Sequence, residues 1–243
     1  MRIRLEFQLK NNVISAEYRK CILSFFKFCL SQLNNGEKFK EYYNDTNTKD
    51  FSWCAILSGP KFEKNSVSLS ENRMSVIISC DDKKQTGFYL MLSFMNQKGR
   101  NYPFGKDNSI TLISVKQIRQ ALILEEECIF KSMPGAPIVV REHIRETNRD
   151  KYYCVEDPDF VDKFTQTVCY QLKEEGFSEE NCKKVKVQII EGKKVVVKHY
   201  GVYINCTICT FKISAPAIIL QHLYQNGIGS RRSMGLSMVD VVN

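Results

Sequence analysis

In the first half of the chain, segments with apolar residues at every second position are interspersed with segments that have apolar residues at helical spacing. Few folds have strands and helices in this order. Arg2 to Gln8 alternates charged and apolar residues like a half-buried strand, and Glu17 to Leu33 carries apolar residues at helical spacing. Four further segments follow: a strand at Phe51 to Leu57, a hairpin of Val67 to Leu69 with Met74 to Cys80, a helix at Gly87 to Met95, and a strand at Ser109 to Ile118. The order β-α-β-β-α-β predicts a ferredoxin-like domain.

The second half repeats this order less clearly. Strands are expected at Cys128 to Lys131 and Ile138 to Arg141, followed by a helix from Asp159 to Glu175 that ends at Gly176. The remaining segments predict strands at Val185 to Ile190 and Lys194 to Lys198 around a Glu191-Gly192 turn, a strand at Thr207 to Ile213, a helix at Pro216 to Gln225, and a last strand at Met238 to Val242. We therefore predict an α+β protein of two tandem ferredoxin-like (RRM-like) βαββαβ domains with antiparallel sheets, at residues 1–122 and 123–243.

Charge and apolar content narrow the classes of partner. The 35 basic and 27 acidic residues leave a formal charge of +8, which favours a polyanion such as nucleic acid, although many soluble proteins carry a similar excess. No apolar run approaches the roughly 20 residues of a spanning helix, and Met1 to Gln8 lacks the apolar core of a signal peptide. We expect a cytoplasmic protein with reduced thiols and no membrane partner.

The ten cysteines do not form a recognisable metal motif. Cys206 and Cys209 make a lone C-x-x-C, but no second pair or histidine follows at zinc spacing. Their strand-like surroundings favour packing over coordination, so we predict neither a metal site nor a cofactor.

A glycine-rich segment lies between the helix at Pro216 to Gln225 and the last strand. Glycine permits backbone conformations in which successive N–H groups converge on a phosphate, and two arginines supply positive charge. It is not a nucleotide-binding P-loop, because no Gly-Lys-Ser/Thr follows and the segment leads into a strand. The alternative is a flexible surface loop. The candidate phosphate-binding residues are Gly227, Gly229, Ser230, Arg231, Arg232, Ser233 and Gly235.

The segment from Ala215 to Val239 closely resembles the carboxyl-terminal signature of the sixth Cas family, repeat-cleaving endoribonucleases of the RAMP superfamily. That signature includes two G-x-G pairs five residues apart; this chain keeps three of the four glycines and has Ser237 at the last position. Pro137 to Arg141, Asp157 to Phe160 and Phe51 to Trp53 resemble further landmarks of the family, in the expected order. The resemblance therefore spans nearly the whole chain.

The resemblance implies metal-independent cleavage of CRISPR repeat RNA, in which a 2′-hydroxyl attacks its own 3′-phosphate and leaves 2′,3′-cyclic phosphate and 5′-hydroxyl ends. Many family members place a histidine before the second strand, a lysine six residues later and a tyrosine or basic residue in the first helix. Here Tyr43 occupies the histidine position and Lys49 the lysine position. The helix position falls near Phe28 or, with a one-residue gap, at Lys27.

Tyr43 could act as the general base if Lys27, Lys40 or Lys49 lowered the pKa of its phenol. The alternative is that Tyr43 only stacks or packs. The candidate catalytic residues are Tyr43, Lys49 and Lys27, which gives the first domain a candidate active-site helix and the second the RNA-binding loop. The three histidines of the chain lie far from Tyr43 in sequence.

A run of lysines could follow an RNA backbone, although such runs are more often solvated faces. It begins with Lys183, Lys184 and Lys186 and continues through Lys193, Lys194 and Lys198. The expected partners are precursor and mature CRISPR RNA and other Cas proteins of an interference complex, with the protein a monomer or homodimer.

Two other functions are compatible with the sequence. The tyrosine at the histidine position fits a catalytically inactive subunit that binds repeat RNA within an interference complex. An unrelated module that binds single-stranded RNA by stacked aromatic residues is a third hypothesis, but the predicted strands lack an RNP-like aromatic motif.

Overall fold

A computed structural model describes residues 1–44 and 48–242, which divide into two compact units, Met1–Gln120 and Ala121–Asn243. The first unit contains strands β1 (Arg2–Leu9), β2 (Val13–Ser15), β3 (Phe51–Leu57), β4 (Lys61–Phe62), β5 (Ser66–Ser68), β6 (Arg73–Cys80), β7 (Asn101–Pro103) and β8 (Ser109–Ile118), and helices α1 (Tyr18–Ser31), α2 (Glu37–Tyr43) and α3 (Thr86–Met95).

The main sheet of the first unit is antiparallel and has the strand order β3-β6-β1-β8-β7. Its four long strands follow the ferredoxin-like order, with β1 in the middle. Helices α1 and α3 pack together through Phe25 and Phe94, whose rings are stacked 6.2 Å apart. The ring of Phe25 also lies 5.4 Å from that of Phe7 in β1, and Phe26 lies 5.4 Å from Trp53 in β3. These buried aromatic contacts join both helices to the sheet.

The expected hairpin between Val67 to Leu69 and Met74 to Cys80 is wrong. Strand β5 pairs with β2 and β4 in a separate three-stranded sheet. Strand β6 pairs with β1 on one side and with β3 on the other. A strand has only two hydrogen-bonding edges, so β6 has none left for β5.

The second unit contains strands β9 (Glu127–Ser132), β10 (Val140–Ile144), β11 (Arg149–Tyr153), β12 (Lys186–His199), β13 (Val202–Ser214) and β14 (Val239–Val241), and helices α4 (Phe160–Glu174), α5 (Glu179–Lys183) and α6 (Ala217–Asn226). Its main sheet has the order β12-β13-β9-β14, while β10 and β11 form a separate hairpin. Phe164 of α4 packs edge-on against Phe211 of β13 in the core. The prediction of an α+β protein with two ferredoxin-like domains and antiparallel sheets is confirmed.

The expected turn at Glu191-Gly192 is wrong, because β12 continues through it to His199. The chain reverses at Tyr200 and Gly201, both with positive φ. The β12–β13 register shifts between Ile189 and Glu191, and such a bulge interrupts the alternation of side chains. The glycine serves packing, since a Cβ at Gly192 would lie 3.2 Å from Cγ2 of Val155.

The strand expected at Ile138 to Arg141 begins later, at Val140. Ile138 instead makes an isolated bridge to Thr207, with N–H···O distances of 2.8 and 2.9 Å. This bridge holds the segment before β10 against β13, next to the glycine-rich loop.

The two cysteines of the C-x-x-C face different surroundings. Cys206 packs with Val139 and Ile204, whereas Cys209 belongs to the main core of the second unit. Burial raises the pKa of the Cys209 thiol to about 12, which disfavours the thiolate that zinc requires. Both thiols therefore act as small apolar side chains.

Candidate functional site

The three candidate catalytic residues lie together in the first unit. Tyr43 is the last residue of α2, Lys27 lies on the exposed side of α1, and Lys49 comes just before β3. The Nζ of Lys27 is 4.8 Å from the centroid of the Tyr43 ring, and that of Lys49 is 5.7 Å from it. Two ammonium groups thus flank one phenol, an arrangement that favours negative charge nearby.

A tight turn between the two helices makes this cluster possible. The turn residues Asn34, Asn35 and Gly36, between α1 and α2, all have positive φ, which asparagine and glycine adopt most readily. The turn lets α2 lie beside α1, so that Tyr43 reaches Lys27. The Phe39 ring packs 5.6 Å from the Tyr43 ring and supports it.

A buried chain of hydrogen bonds lies behind the cluster. The Thr86 hydroxyl donates to Oδ2 of Asp50 at 2.7 Å and therefore accepts from the Tyr42 hydroxyl, 2.6 Å away. Burial raises the pKa of Tyr42, and the nearby Asp50 carboxylate raises it further, whereas the hydrogen bond with Thr86 lowers it. Because the pKa is raised overall, the Tyr42 hydroxyl keeps its proton and remains a hydrogen-bond donor. Tyr42 and Asp50 are the chain neighbours of Tyr43 and Lys49. The chain of bonds therefore fixes both ends of the segment that joins the two candidate catalytic residues.

Replacing Thr86 by valine is expected to lower the free energy of unfolding by about 1–3 kcal/mol, because it leaves the buried Tyr42 hydroxyl without its acceptor. Urea denaturation followed by circular dichroism measures this loss. Thr86→Ser keeps the hydroxyl and is expected to retain most of the stability. Equal stability of the valine variant and the wild type would show that the hydrogen bonds contribute nothing.

The first backbone N–H groups of the glycine-rich loop do not form the expected phosphate-binding site. Three successive N–H groups donate within the protein: Ile228 to the Ser237 carbonyl at 2.9 Å, Gly229 to Oε1 of Gln171 at 3.1 Å, and Ser230 to the Val139 carbonyl at 2.8 Å. These amides hold the loop against its neighbours and are already occupied. Gly229 has φ of 114°, and a Cβ there would lie 2.8 Å from the Val139 oxygen. The glycine thus permits close packing of the loop against the segment that leads into β10.

Ser237 stands where the related pattern has its last glycine, and its side chain has a structural role. It is fully buried with φ of 57°, a conformation that serine rarely adopts. Its Oγ accepts from the Val139 N–H at 3.0 Å and donates to the Ser230 carbonyl at 2.8 Å. The hydroxyl thus ties the loop to the segment that leads into β10.

The two arginines of the loop have different surroundings. The Arg232 side chain is only 5% exposed, and its Nη2 binds Oε1 of Glu175 at 2.7 Å. His222 binds the other carboxylate oxygen of Glu175. Burial would raise the Glu175 pKa, but the His222 hydrogen bond and the Arg232 charge outweigh burial and hold it below its usual range. Arg232 was expected to face RNA; the structure instead places it in a buried ion pair.

Arg231 is 30% exposed and reaches Asp150 and Tyr152 on the β10–β11 hairpin, each at 3.0 Å from its Nη2. Ser230 and Ser233 are partly exposed, whereas the three glycines of the predicted set are buried. The loop residues of the predicted set whose side chains are partly exposed are Ser230, Arg231 and Ser233.

The predicted basic run lies along an edge of the sheet. Lys183, Lys184 and Lys186 are exposed at the end of α5 and the start of β12, and Lys184 forms an ion pair with Glu180. Because β12 is one continuous strand, Lys198 lies about 40 Å from Lys186. The lysines therefore mark a long edge strand and do not converge on one point.

Within residues 1–44 and 48–242, no cluster of three or more His, Cys, Asp or Glu side chains could hold a metal ion. Over the same ranges, no helix is long and apolar enough to cross a membrane.

Residues 116–241 match the family model described as "CRISPR associated protein Cas6, C-terminal". The fold is similar to that of a solved structure described as an RAMP protein binding different RNA substrates, at 17% identity and a TM-score of 0.82 over all of both chains. It is also similar to a Cas6-related protein from Pyrococcus furiosus, at 18% identity and a TM-score of 0.83 over all of this chain and 98% of that one. No curated protein matches the sequence. The solved structures support the two-domain fold.

Proposed function

Since this chain belongs to the Cas6 family of CRISPR-associated proteins, we propose that it binds precursor CRISPR RNA and cuts it within the repeats. The observation that carries the catalytic part is the cluster of Tyr43 with Lys27 and Lys49, which supplies a proton acceptor and two cations in one place. A relative of this fold is described as binding different RNA substrates, which supports RNA as the ligand.

The reaction that suits these groups needs no metal. The 2′-oxygen of the nucleotide before the cut attacks the adjacent phosphorus, and its proton passes to the Tyr43 phenolate. The bond between phosphorus and the 5′-oxygen breaks, and that oxygen takes a proton from a lysine ammonium or from water. The products are a 2′,3′-cyclic phosphate and a 5′-hydroxyl, with Lys27 and Lys49 stabilising the charge that develops on the phosphate oxygens.

A phenol is a poorer base near neutral pH than an imidazole. In this proposal, much of the acceleration of cleavage therefore comes from the positioning of the RNA. Alignment of the 2′-oxygen with the scissile bond supplies on the order of 7 kcal/mol in favourable cases. Slow single-turnover cleavage suits an enzyme that keeps its product bound. The proposed RNA contacts are Ser230, Arg231, Ser233 and the exposed lysines Lys183, Lys184 and Lys186.

Metal-free cleavage tests this proposal directly. Purified protein is incubated in EDTA with a labelled RNA of the repeat from the CRISPR array of its own genome. A parallel reaction uses the same RNA with a 2′-deoxy nucleotide before the cut. We expect cleavage of the first RNA and not of the second. Cleavage of both would contradict attack by the 2′-hydroxyl.

A second candidate function is that of a non-catalytic subunit that holds the repeat-derived part of the guide RNA within an interference complex. The observation that favours it is the absence of histidine from the first unit, since all three histidines belong to the second. Tight binding of the repeat RNA without cleavage in EDTA would select this function. In either case the proposed setting is the cytoplasm, with precursor or mature CRISPR RNA and other Cas proteins as partners of a monomer or homodimer.

A further inference from the structure

The hairpin of β10 and β11 presents two different faces. Val140 and Tyr153 pair across the strands and pack into the core of the second unit. On the other face of the hairpin, the pairs Arg141 with Tyr152 and His143 with Asp150 carry polar groups. In an antiparallel pair, opposite residues share a face, so these four side chains form one polar surface.

Asp150 is the centre of this surface. Nη1 of Arg141 lies 3.1 Å from each of its carboxylate oxygens, and Nδ1 of His143 lies 2.9 Å from Oδ1. The Tyr152 hydroxyl donates to Oδ2 at 3.3 Å, and Nη2 of Arg231 donates to the same oxygen at 3.0 Å. One carboxylate therefore orients two guanidinium groups and an imidazole from two separate segments of the chain.

This polar surface has more positive than negative charges, and some of its N–H groups do not bond to Asp150. Two arginines and a histidine share a single carboxylate, and Asp150 is the least exposed of the ionisable groups, at 19% against 37% for Arg141 and 44% for His143. The two guanidinium groups and the imidazole are thus more exposed than the carboxylate. A guanidinium offers five N–H groups, and each arginine bonds to Asp150 through one terminal nitrogen.

The glycine-rich loop fixes the position of Arg231 relative to the hairpin. The Ser230 N–H donates to the Val139 carbonyl, and the Ser237 hydroxyl bonds to both of these residues. Val139 is only two residues before Arg141. The two guanidinium groups are therefore held close together by the backbone as well as by Asp150.

We propose that Arg141, His143 and Arg231 form a binding site for a phosphodiester group of RNA, with Asp150 as the residue that positions them. The inference rests on the proposed function and adds to it a contact on the β10–β11 hairpin. Planar guanidinium groups suit phosphate oxygens because they donate two parallel hydrogen bonds, and groups held in place lose little entropy on binding.

The first test compares two arginines of the same hairpin. Arg149 is exposed and pairs with Ile144 on the other face, so Arg149→Ala removes the same charge without touching the site. Anisotropy of a labelled repeat RNA measures the dissociation constant across a salt series. Arg141→Ala is expected to weaken binding about tenfold and to reduce the slope of log Kd against log salt by about 0.7, the value for one phosphate contact on a single strand. Arg149→Ala is expected to stay within about twofold of the wild type.

Equal losses in the two variants would overturn the site, because binding would then respond only to net charge. Wild-type protein that fails to bind repeat RNA would overturn the proposed function together with the site. RNA cleavage by the wild type alongside equal losses in the two variants would overturn the site alone.

The second test addresses Asp150. Asp150→Asn removes a negative charge, so simple electrostatics predicts tighter RNA binding. Positioning predicts the opposite, and we expect binding to weaken about fivefold because the arginines lose their fixed orientation. Asp150→Asn that binds RNA more tightly than the wild type, with an unchanged melting temperature, would overturn the positioning role.

Discussion

Replacing Tyr43 by phenylalanine is expected to slow metal-free cleavage of repeat RNA by about a hundredfold or more, the usual effect of losing a general base. The affinity for RNA is expected to change by less than about twofold. The phenylalanine ring keeps the contacts with Phe39, Lys27 and Lys49, so that only the hydroxyl is lost. Single-turnover rates with saturating protein measure the chemical step, and anisotropy of labelled RNA measures binding.

Tyr89 provides a matched control. It is also partly buried, and its ring lies 4.3 Å from Nζ of Lys38, so Tyr89→Phe removes a hydroxyl from a similar tyrosine–lysine pair. We expect Tyr89→Phe to cleave at the wild-type rate. An unchanged rate in Tyr43→Phe would instead assign Tyr43 a packing role and leave another group as the base.

Replacing Glu175 by alanine is expected to lower the free energy of unfolding by about 3–5 kcal/mol, because it leaves the buried Arg232 guanidinium without its counter-ion. The Arg232 side chain is 5% exposed, so water cannot replace the carboxylate. His222 loses its hydrogen bond to Glu175 in the same step. Urea denaturation measures the loss.

Glu179 provides the comparison. Its ion pair with Lys173 is exposed on both sides, and exposed pairs contribute little to stability. Glu179→Ala is expected to leave the free energy of unfolding almost unchanged. Similar losses in the two variants would mean that the Glu175 cluster does not stabilise the second unit through its burial.

Local periodicity predicted most individual strands and helices. The strands at Phe51–Leu57 and Ser109–Ile118 have the predicted bounds. The errors concern pairing. The bulge near Glu191 breaks the alternation of β12 as a turn would. One partner of β5, strand β2, lies far from it in the sequence. Neither fact can be read from a short window of residues.

The residues of the candidate site were also predicted only in part. Resemblance alone suggested Tyr43, Lys27 and Lys49, and the structure brings the three together. The glycines of the loop were noticed, but they serve packing, since Gly229 approaches the Val139 carbonyl and Gln171 takes up its amide. Sequence reasoning missed Asp150, although alternation along β10 places Arg141 and His143 on one face. The contact of Asp150 with Arg231 joins residues 81 positions apart, so only the fold reveals it.

The Ser237 hydroxyl and the amide bonds of residues 228–230 have a consequence for binding thermodynamics. Ordering a backbone residue costs about 1–2 kcal/mol of conformational entropy, and this loop loses that entropy when the protein folds. A ligand that lies on Arg231 therefore meets a surface that needs no further ordering. The free energy of binding then includes no entropy cost for ordering the loop.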